Sequence, residues 1–362
     1  MTEARIHPDQ ALVLLALTEN TILSTGPHGE SPTAAAEIEL TYDERRRLRG
    51  LGATAAVVMH IESEKTKAEV DGLTATLTEL GIKVIASTNG EGRTEKQVAD
   101  IEAVLFQKPS VVVSIPWSAR DEAAAYRKIV DSGAKLVFIE DVPDGFVAGR
   151  DYVSVVAADN FGNGVVSAHL MAQALDGKGT IGMIEHQADF FVTRQRADAF
   201  EVTIAENYPG LRIVGRQGVS GPDFAADGEA AAAALLAAQP DLAAIWAVWD
   251  APARGAMTAA RAAGRTDLVV TTFDLGLNVA VELATDGMIK GVGAQRPYAA
   301  GVTEALLAGY AILGKSAPPF VALPALPVTR GNVLAAWDEV YGQPPPESLS
   351  RASSSPGGDR HP

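Results

Sequence analysis

The chain contains no cysteine. This excludes a disulfide scaffold, thiolate catalysis and cysteine-ligated zinc, and it leaves the redox compartment open. Histidine is sparse as well. His7, His28, His60, His169, His186 and His361 stand at no metal-ligand spacing, so no metal site is expected. Basic charge is in the minority: 30 Lys and Arg against 45 Asp and Glu leave a formal net charge of −15. A nucleic-acid binder would need a basic stripe to neutralise phosphates, so that class is excluded. The apolar run at 11–17 is too short to span a bilayer. Asp9 precedes it where a secretory signal would carry basic residues, and no clear small-residue cleavage site follows, so no export signal is recognisable. Nucleotide and hydrolase signatures are missing too. No GxGxxG follows the first strand, since Gly50–Ala53 precedes it, and Walker A, HExxH and GxSxG are absent. No cofactor is expected.

What is present is a regular alternation. Short β-branched runs at 54–59, 83–87, 110–115, 135–140, 152–157, 179–184, 212–217, 243–248, 267–273 and 289–294 predict strands. Helical stretches at 64–80, 94–107, 119–132, 160–176, 191–206, 224–238 and 250–264 lie between them. Such βαβ order predicts an α/β fold with parallel sheets flanked by helices. The series restarts near 53 and near 179, which suggests two Rossmann-like lobes, with a ligand outside the strand C-termini. Residues 1–50 read as a leader packing on the first lobe. Within it, Thr41 and Glu44 form a capping box before a helix whose basic run, 45–49, is solvated. The Pro/Ser/Gly-rich stretch 344–362 predicts a disordered tail.

The stretch IGMIEHQADFFVTRQRADAF (181–200) is the most informative. A strand runs out into Phe190 and Phe191, and then Arg194 and Arg196 open a helix. Ring faces cover C–H surface and a guanidinium reaches hydroxyl oxygens, a combination suited to a neutral polyhydroxylated ligand. The same stretch reads equally well as core phenylalanines beside a solvated helix face. Other strand ends carry comparable groups: Pro116-Trp117, Glu140-Asp141, Trp249-Asp250, Phe273-Asp274 and Gln295-Arg296. Carboxylates and amides pair with hydroxyls, and indoles stack on sugar faces. Asp250 also fits a helix N-cap. Trp246 and Trp337 read as packing residues and Lys65 as exposed. His186 beside Asp189 is the one acid–base candidate, and no nucleophile accompanies it.

At these residues the chain resembles the ribose-binding-protein-like group of type I periplasmic binding proteins. The resemblance covers about 53–342. It rests on GlnValAlaAspIle (97–101), ValValSerIlePro (112–116), AlaAspAsn (158–160), ArgGlnArgAlaAspAlaPhe (194–200), Trp249-Asp250, ThrThrPheAsp (271–274) and GlyAlaGlnArgPro (293–297), in family order. It implies two lobes joined by a three-segment hinge, 51–158 plus 296–325 and 159–295 plus 326–343. It also implies a neutral monosaccharide or sugar alcohol in the interlobe cleft, held by Arg196, Asp274, Gln295 and Glu140, with Trp117, Trp249, Phe190 and Phe273 stacking. Arg194 and Arg196 point apart on a helix, and the family pattern favours Arg196. The protein would be a monomeric, extracytoplasmic, non-enzymatic component serving an ABC permease and its ATPase. The pattern departs from ribose binders at 61–66, at Ile115–Pro116, at Glu140, at Trp249 and after Phe224, where a second arginine is missing. These departures point to a pentose, hexose or polyol other than ribose. The alternatives are the ligand-sensing domain of a lactose-repressor-like regulator, for which residues 1–50 lack a helix-turn-helix, and a sugar-processing α/β enzyme.

Overall fold

A computed structural model describes residues 21–354. The apolar run 11–17, His7 and His361 lie outside the described residues, as do the last eight positions of the expected tail. The described chain divides into two compact units, with 24–158 and 296–323 in one (the N-terminal unit) and 21–23, 159–295 and 324–354 in the other (the C-terminal unit).

The chain enters the N-terminal unit through the two-residue strand β1 (Thr33–Ala34) and helix α1 (Tyr42–Arg49). Thr41 Oγ1 accepts the Glu44 N–H at 3.3 Å and Glu44 Oε2 accepts the Thr41 N–H at 2.7 Å, which is the capping box that the sequence announces. There follow β2 (Thr54–Met59), α2 (Glu64–Glu79), β3 (Lys83–Asn89), α3 (Thr94–Phe106), β4 (Val111–Ser114), α4 (Ala123–Asp131), β5 (Lys135–Ile139) and β6 (Ser154–Ala158). The C-terminal unit begins with α5 (Asn160–Ala174). It continues through β7 (Gly179–His186), α6 (Phe191–Asn207), β8 (Leu211–Val219), α7 (Phe224–Ala238), β9 (Ala244–Ala247), α8 (Asp250–Ala262), β10 (Val269–Phe273), α9 (Leu277–Ala284) and β11 (Ile289–Ala294). The chain then returns to the N-terminal unit for α10 (Pro297–Leu313) and β12 (Phe320–Leu323). It ends in the C-terminal unit with β13 (Leu326–Val328), α11 (Val333–Tyr341) and α12 (Glu347–Ser354).

The N-terminal sheet, in the order β1-β12-β6-β5-β4-β2-β3, is parallel throughout. The C-terminal sheet, β13-β11-β10-β9-β7-β8, is parallel except at β13, which runs antiparallel on the edge. All ten strands expected from the sequence form, each within two residues of its anticipated bounds. Strands such as β2 and β4 are buried apolar runs because helices cover both faces.

Several elements were not anticipated. Helix α10 is apolar nearly all round and deeply buried, so it shows no amphipathic period. The tail expected to be disordered from Pro344 instead forms α12, whose Leu349 is buried in the core of the C-terminal unit. Leu349 and Ala352 lie three residues apart and share one face; the Pro/Ser composition hides that short apolar stripe.

Helices α2 and α10 touch backbone to backbone. A Cβ on Gly72 would sit 2.1 Å from the Tyr298 carbonyl oxygen, and one on Gly301 would sit 2.0 Å from that of Glu69. Neither neighbour is a side chain that can swing away. The variant Gly301→Ala should therefore lose about 1–3 kcal/mol of stability as the helices separate. Chemical denaturation measures this, and an unchanged midpoint would show that the helices are not in such contact.

Candidate functional site

In the C-terminal unit, Arg196 lies in the second turn of α6 and is only 4% exposed. Its Nε donates to Asn160 Oδ1 at 2.8 Å and its Nη1 to the Val248 carbonyl at 3.2 Å. Its guanidinium carbon stands 5.0 Å from the Phe273 ring centroid. Two bonds and a ring fix the plane of the guanidinium. Nη2 makes no hydrogen bond among the described residues. Arg194, two positions earlier, is exposed and pairs with Asp189, so the helix divides the two arginines as the sequence suggests.

Beside them, Gln295 Nε2 donates to Asp274 Oδ1 at 2.7 Å. A group of four rings lines the ends of β7 and β9. Phe190 stands 4.7 Å from His186, His186 5.5 Å from Trp249, and Trp249 4.9 Å from Phe224 in an edge-on arrangement. Burial lowers the His186 pKa, so this imidazole packs as a neutral ring. All four rings are partly exposed. Sequence reasoning did not place Asn160 or Phe224 in the site, and it read His186 as an acid–base candidate rather than as one of these rings.

In the N-terminal unit, Trp117 follows β4. Its ring stands 5.9 Å from His60, and its backbone N–H donates to Glu122 Oε2 at 3.0 Å. Burial pushes the Glu122 carboxyl up to about 7 and lowers His60 to about 4, with Lys65 adding to the latter effect. Glu140 follows β5 and accepts a bond of 2.7 Å from Lys65 Nζ, which also donates to Glu69 Oε2 at 3.0 Å. Burial works against the lysine's charge, but Glu140 and Glu69 outweigh it and push its pKa up. Asp141 is raised to about 6, chiefly by burial.

Glu304, on α10, is fully buried behind Glu69. Burial and the neighbouring Glu69 carboxylate raise its pKa well above 4.5, which favours the protonated form, and neither of its carboxyl oxygens has a hydrogen-bond partner among the described residues. Glu69 is itself raised to about 6, mainly by burial.

Both strand-end acids share a backbone conformation. Glu140 has φ 61° and Asp274 has φ 58°, the left-handed region that side chains other than glycine seldom enter. β5 and β10 hold corresponding places in their sheets, each three strands in from the β3 or β8 edge. The same strained turn thus presents a carboxylate twice.

Three expectations need correction. Phe273 is not an exposed stacking face: it is fully buried against Trp246 and supports Arg196 from beneath. Lys65 is not exposed; its side chain is 13% accessible and doubly paired. His186 and Asp189 form no acid–base pair, because His186 Nδ1 lies 3.1 Å from the Ala188 carbonyl oxygen while Asp189 holds Arg194. Trp246 is core, as expected.

A family model described as the periplasmic binding protein domain matches residues 56–316. The chain belongs to the periplasmic binding protein family. Among curated relatives of this periplasmic binding protein, the D-ribose/D-allose-binding protein of Pseudomonas aeruginosa is 29% identical over 181 residues, covering 49% of this chain and 56% of that one. That match spans little more than half the relative's length. The D-apiose import binding protein of Actinobacillus succinogenes is 24% identical over 246 residues, covering 67% of this chain and 76% of that one. Among solved structures, an ABC transporter solute binding protein from Agrobacterium vitis bound with α-D-tagatopyranose superposes with a TM-score of 0.73 at 21% identity, over 80% of this chain and 100% of that one. This likeness establishes the fold: two α/β units with parallel sheets flanked by helices, the type I architecture.

The buried carboxyl pair gives a pH prediction. A carboxyl whose pKa is higher folded than unfolded contributes most stability below the unfolded value and loses it as the pH rises through the folded one. Glu304→Gln keeps the size of the side chain and cannot ionise. Its stability relative to wild type should rise as the pH climbs above 4.5, by at most about 1.4 kcal/mol per pH unit. Denaturation curves across pH 4–8 measure this, and a constant difference would contradict the protonated state of Glu304.

Proposed function

We propose that this periplasmic binding protein is the substrate-binding component of a carbohydrate ABC importer, taking a neutral monosaccharide or sugar alcohol outside the cytoplasm. The observation that carries the reading is Arg196. A buried guanidinium, oriented by Asn160, Val248 and Phe273 and keeping one terminal nitrogen for a ligand, is a donor fork prepared in advance. Asp274 and Gln295 add an acceptor and an amide. The partly exposed rings of Trp249, Phe190 and Trp117 supply faces for C–H surface. The names of the curated relatives, which specify ribose, allose and apiose, support the same ligand class.

The protein acts by binding without turnover, as a monomer that hands its ligand to a permease driven by an ATPase. Glu140 serves the site as part of an ion pair with Lys65 rather than as an isolated carboxylate.

A thermal-shift panel of D-ribose, D-allose, D-apiose, D-tagatose, D-arabinose, myo-inositol and pentitols tests the reading. At a hundredfold excess over Kd, a ligand stabilises by about 2.7 kcal/mol, which is a readable rise in Tm. Arg196→Ala should abolish the rise, and Arg194→Ala should keep it. A panel without any hit, or full retention by Arg196→Ala, would contradict the proposal.

A further inference from the structure

Lys65, Glu69, Glu140 and Glu304 form a graded stack. Glu304 and Glu69 are almost wholly shielded, whereas the side chains of Lys65 and Glu140 retain 13% and 12% of their surface. The ammonium therefore sits at the outer end of the stack, where β5 stops and α2 begins. An ammonium has three N–H donors. Two are spent on Glu69 and Glu140, and the third has no acceptor among the described residues. A carboxylate can accept about four hydrogen bonds, so Glu140 can take a ligand hydroxyl as well as Lys65.

We propose that Lys65 is a ligand-contacting residue that determines specificity, and that Lys65 and Glu140 together read a single uncharged hydroxyl group. The assignment rests on the sugar reading above and deepens it. A hydroxyl is the one common group that accepts from an ammonium and donates to a carboxylate at the same time. A ligand carboxylate would meet Glu140 as a like charge, and a ligand ammonium would meet Lys65 as one. A carbonyl oxygen would use only the lysine. The pair thus selects neutral polyols over sugar acids and amino sugars. Glu69 keeps the ammonium in place: it holds Lys65 at 3.0 Å from beneath, which fixes the donor before a ligand arrives.

The test is a calorimetric titration of the wild type and of Lys65→Met. The probes are D-ribose, D-allose and myo-inositol, the monodeoxy analogues of whichever of these binds, and D-ribonate. Lys65→Met should weaken the parent sugar about 10- to 100-fold, the range of a lost hydrogen bond to a charged group. One deoxy analogue, lacking the hydroxyl that is read, should bind both proteins within about twofold, while the others fall with the parent. If Lys65→Met is misfolded by circular dichroism, the double variant Lys65→Met/Glu69→Gln removes the unpaired buried carboxylate and is titrated instead. Equal binding of the parent sugar by variant and wild type overturns the Lys65 assignment and leaves the sugar reading standing. So does a uniform loss across all deoxy analogues, which marks a purely structural lysine. D-ribonate binding the wild type more tightly than D-ribose also overturns it. If none of the three parents binds the wild type, the titration is repeated with the ligands of the thermal-shift panel, and if none of those binds, the sugar reading fails and this assignment falls with it.

Discussion

A parallel strand that ends in a left-handed residue governs much of what surrounds it. At Glu140 and again at Asp274 the backbone leaves the sheet through φ near 60°, at a cost on the order of 1 kcal/mol or more. The turn sets a carboxylate at the C-terminal end of the sheet, and that carboxylate then needs a partner. For Asp274 the partner is the amide of Gln295. For Glu140 it is Lys65, which is charged and partly buried and so needs Glu69 as well. Glu69 in turn, with burial, pushes up the pKa of Glu304 beside it. Glu304 reaches Glu69 only because Gly72 and Gly301 let α2 and α10 meet at backbone distance. A local turn, an ion pair, a buried carboxyl and a helix contact are thus links in one chain of dependence.

The two units solve the same problem with different chemistry. The C-terminal unit keeps its cation and its strand-end acid apart. Arg196 rests on Phe273 and bonds to Asn160, while Asp274 is paired by a neutral amide. Both charges therefore remain available for charge-assisted bonds to a ligand. The N-terminal unit joins its acid and its cation in an ion pair, so what it offers is a donor and an acceptor side by side. Burying such charges is costly unless each is satisfied, and the raised pKa of Glu304 leaves two carboxylates rather than three to be balanced by one ammonium.

Much of the architecture was legible in the sequence because β-branched strands and Ala-rich helices differ in period and composition. Helix α10 was not, because a helix buried on every side shows no apolar stripe. Arg196 could be singled out because α6 separates residues two apart onto different faces, and family order chose between them. Lys65 was misread because its local context, Glu64-Lys65-Thr66-Lys67, looks like a solvated helix start. Its burial comes from Glu140, 75 residues on, and from α10, which no local pattern reveals. Phe273 was misread for a related reason. The residue before a strand-end acid points to the opposite face from the acid itself, so Asp274 stays partly accessible while Phe273 turns into the core. Alternation along the strand carried that information, and Trp246 was placed correctly by the same rule.

The central claim is that Arg196, Asp274 and Gln295 hold a neutral sugar at the ends of β9, β10 and β11. A crystal structure of the protein with the sugar that raises its Tm most is the direct measurement. The account predicts ligand hydroxyl oxygens within about 2.7–3.2 Å of Arg196 Nη2 and of Asp274, with a ring face of the sugar against Trp249 or Phe190. A bound sugar that leaves Arg196 Nη2 and Asp274 without a ligand contact would contradict it.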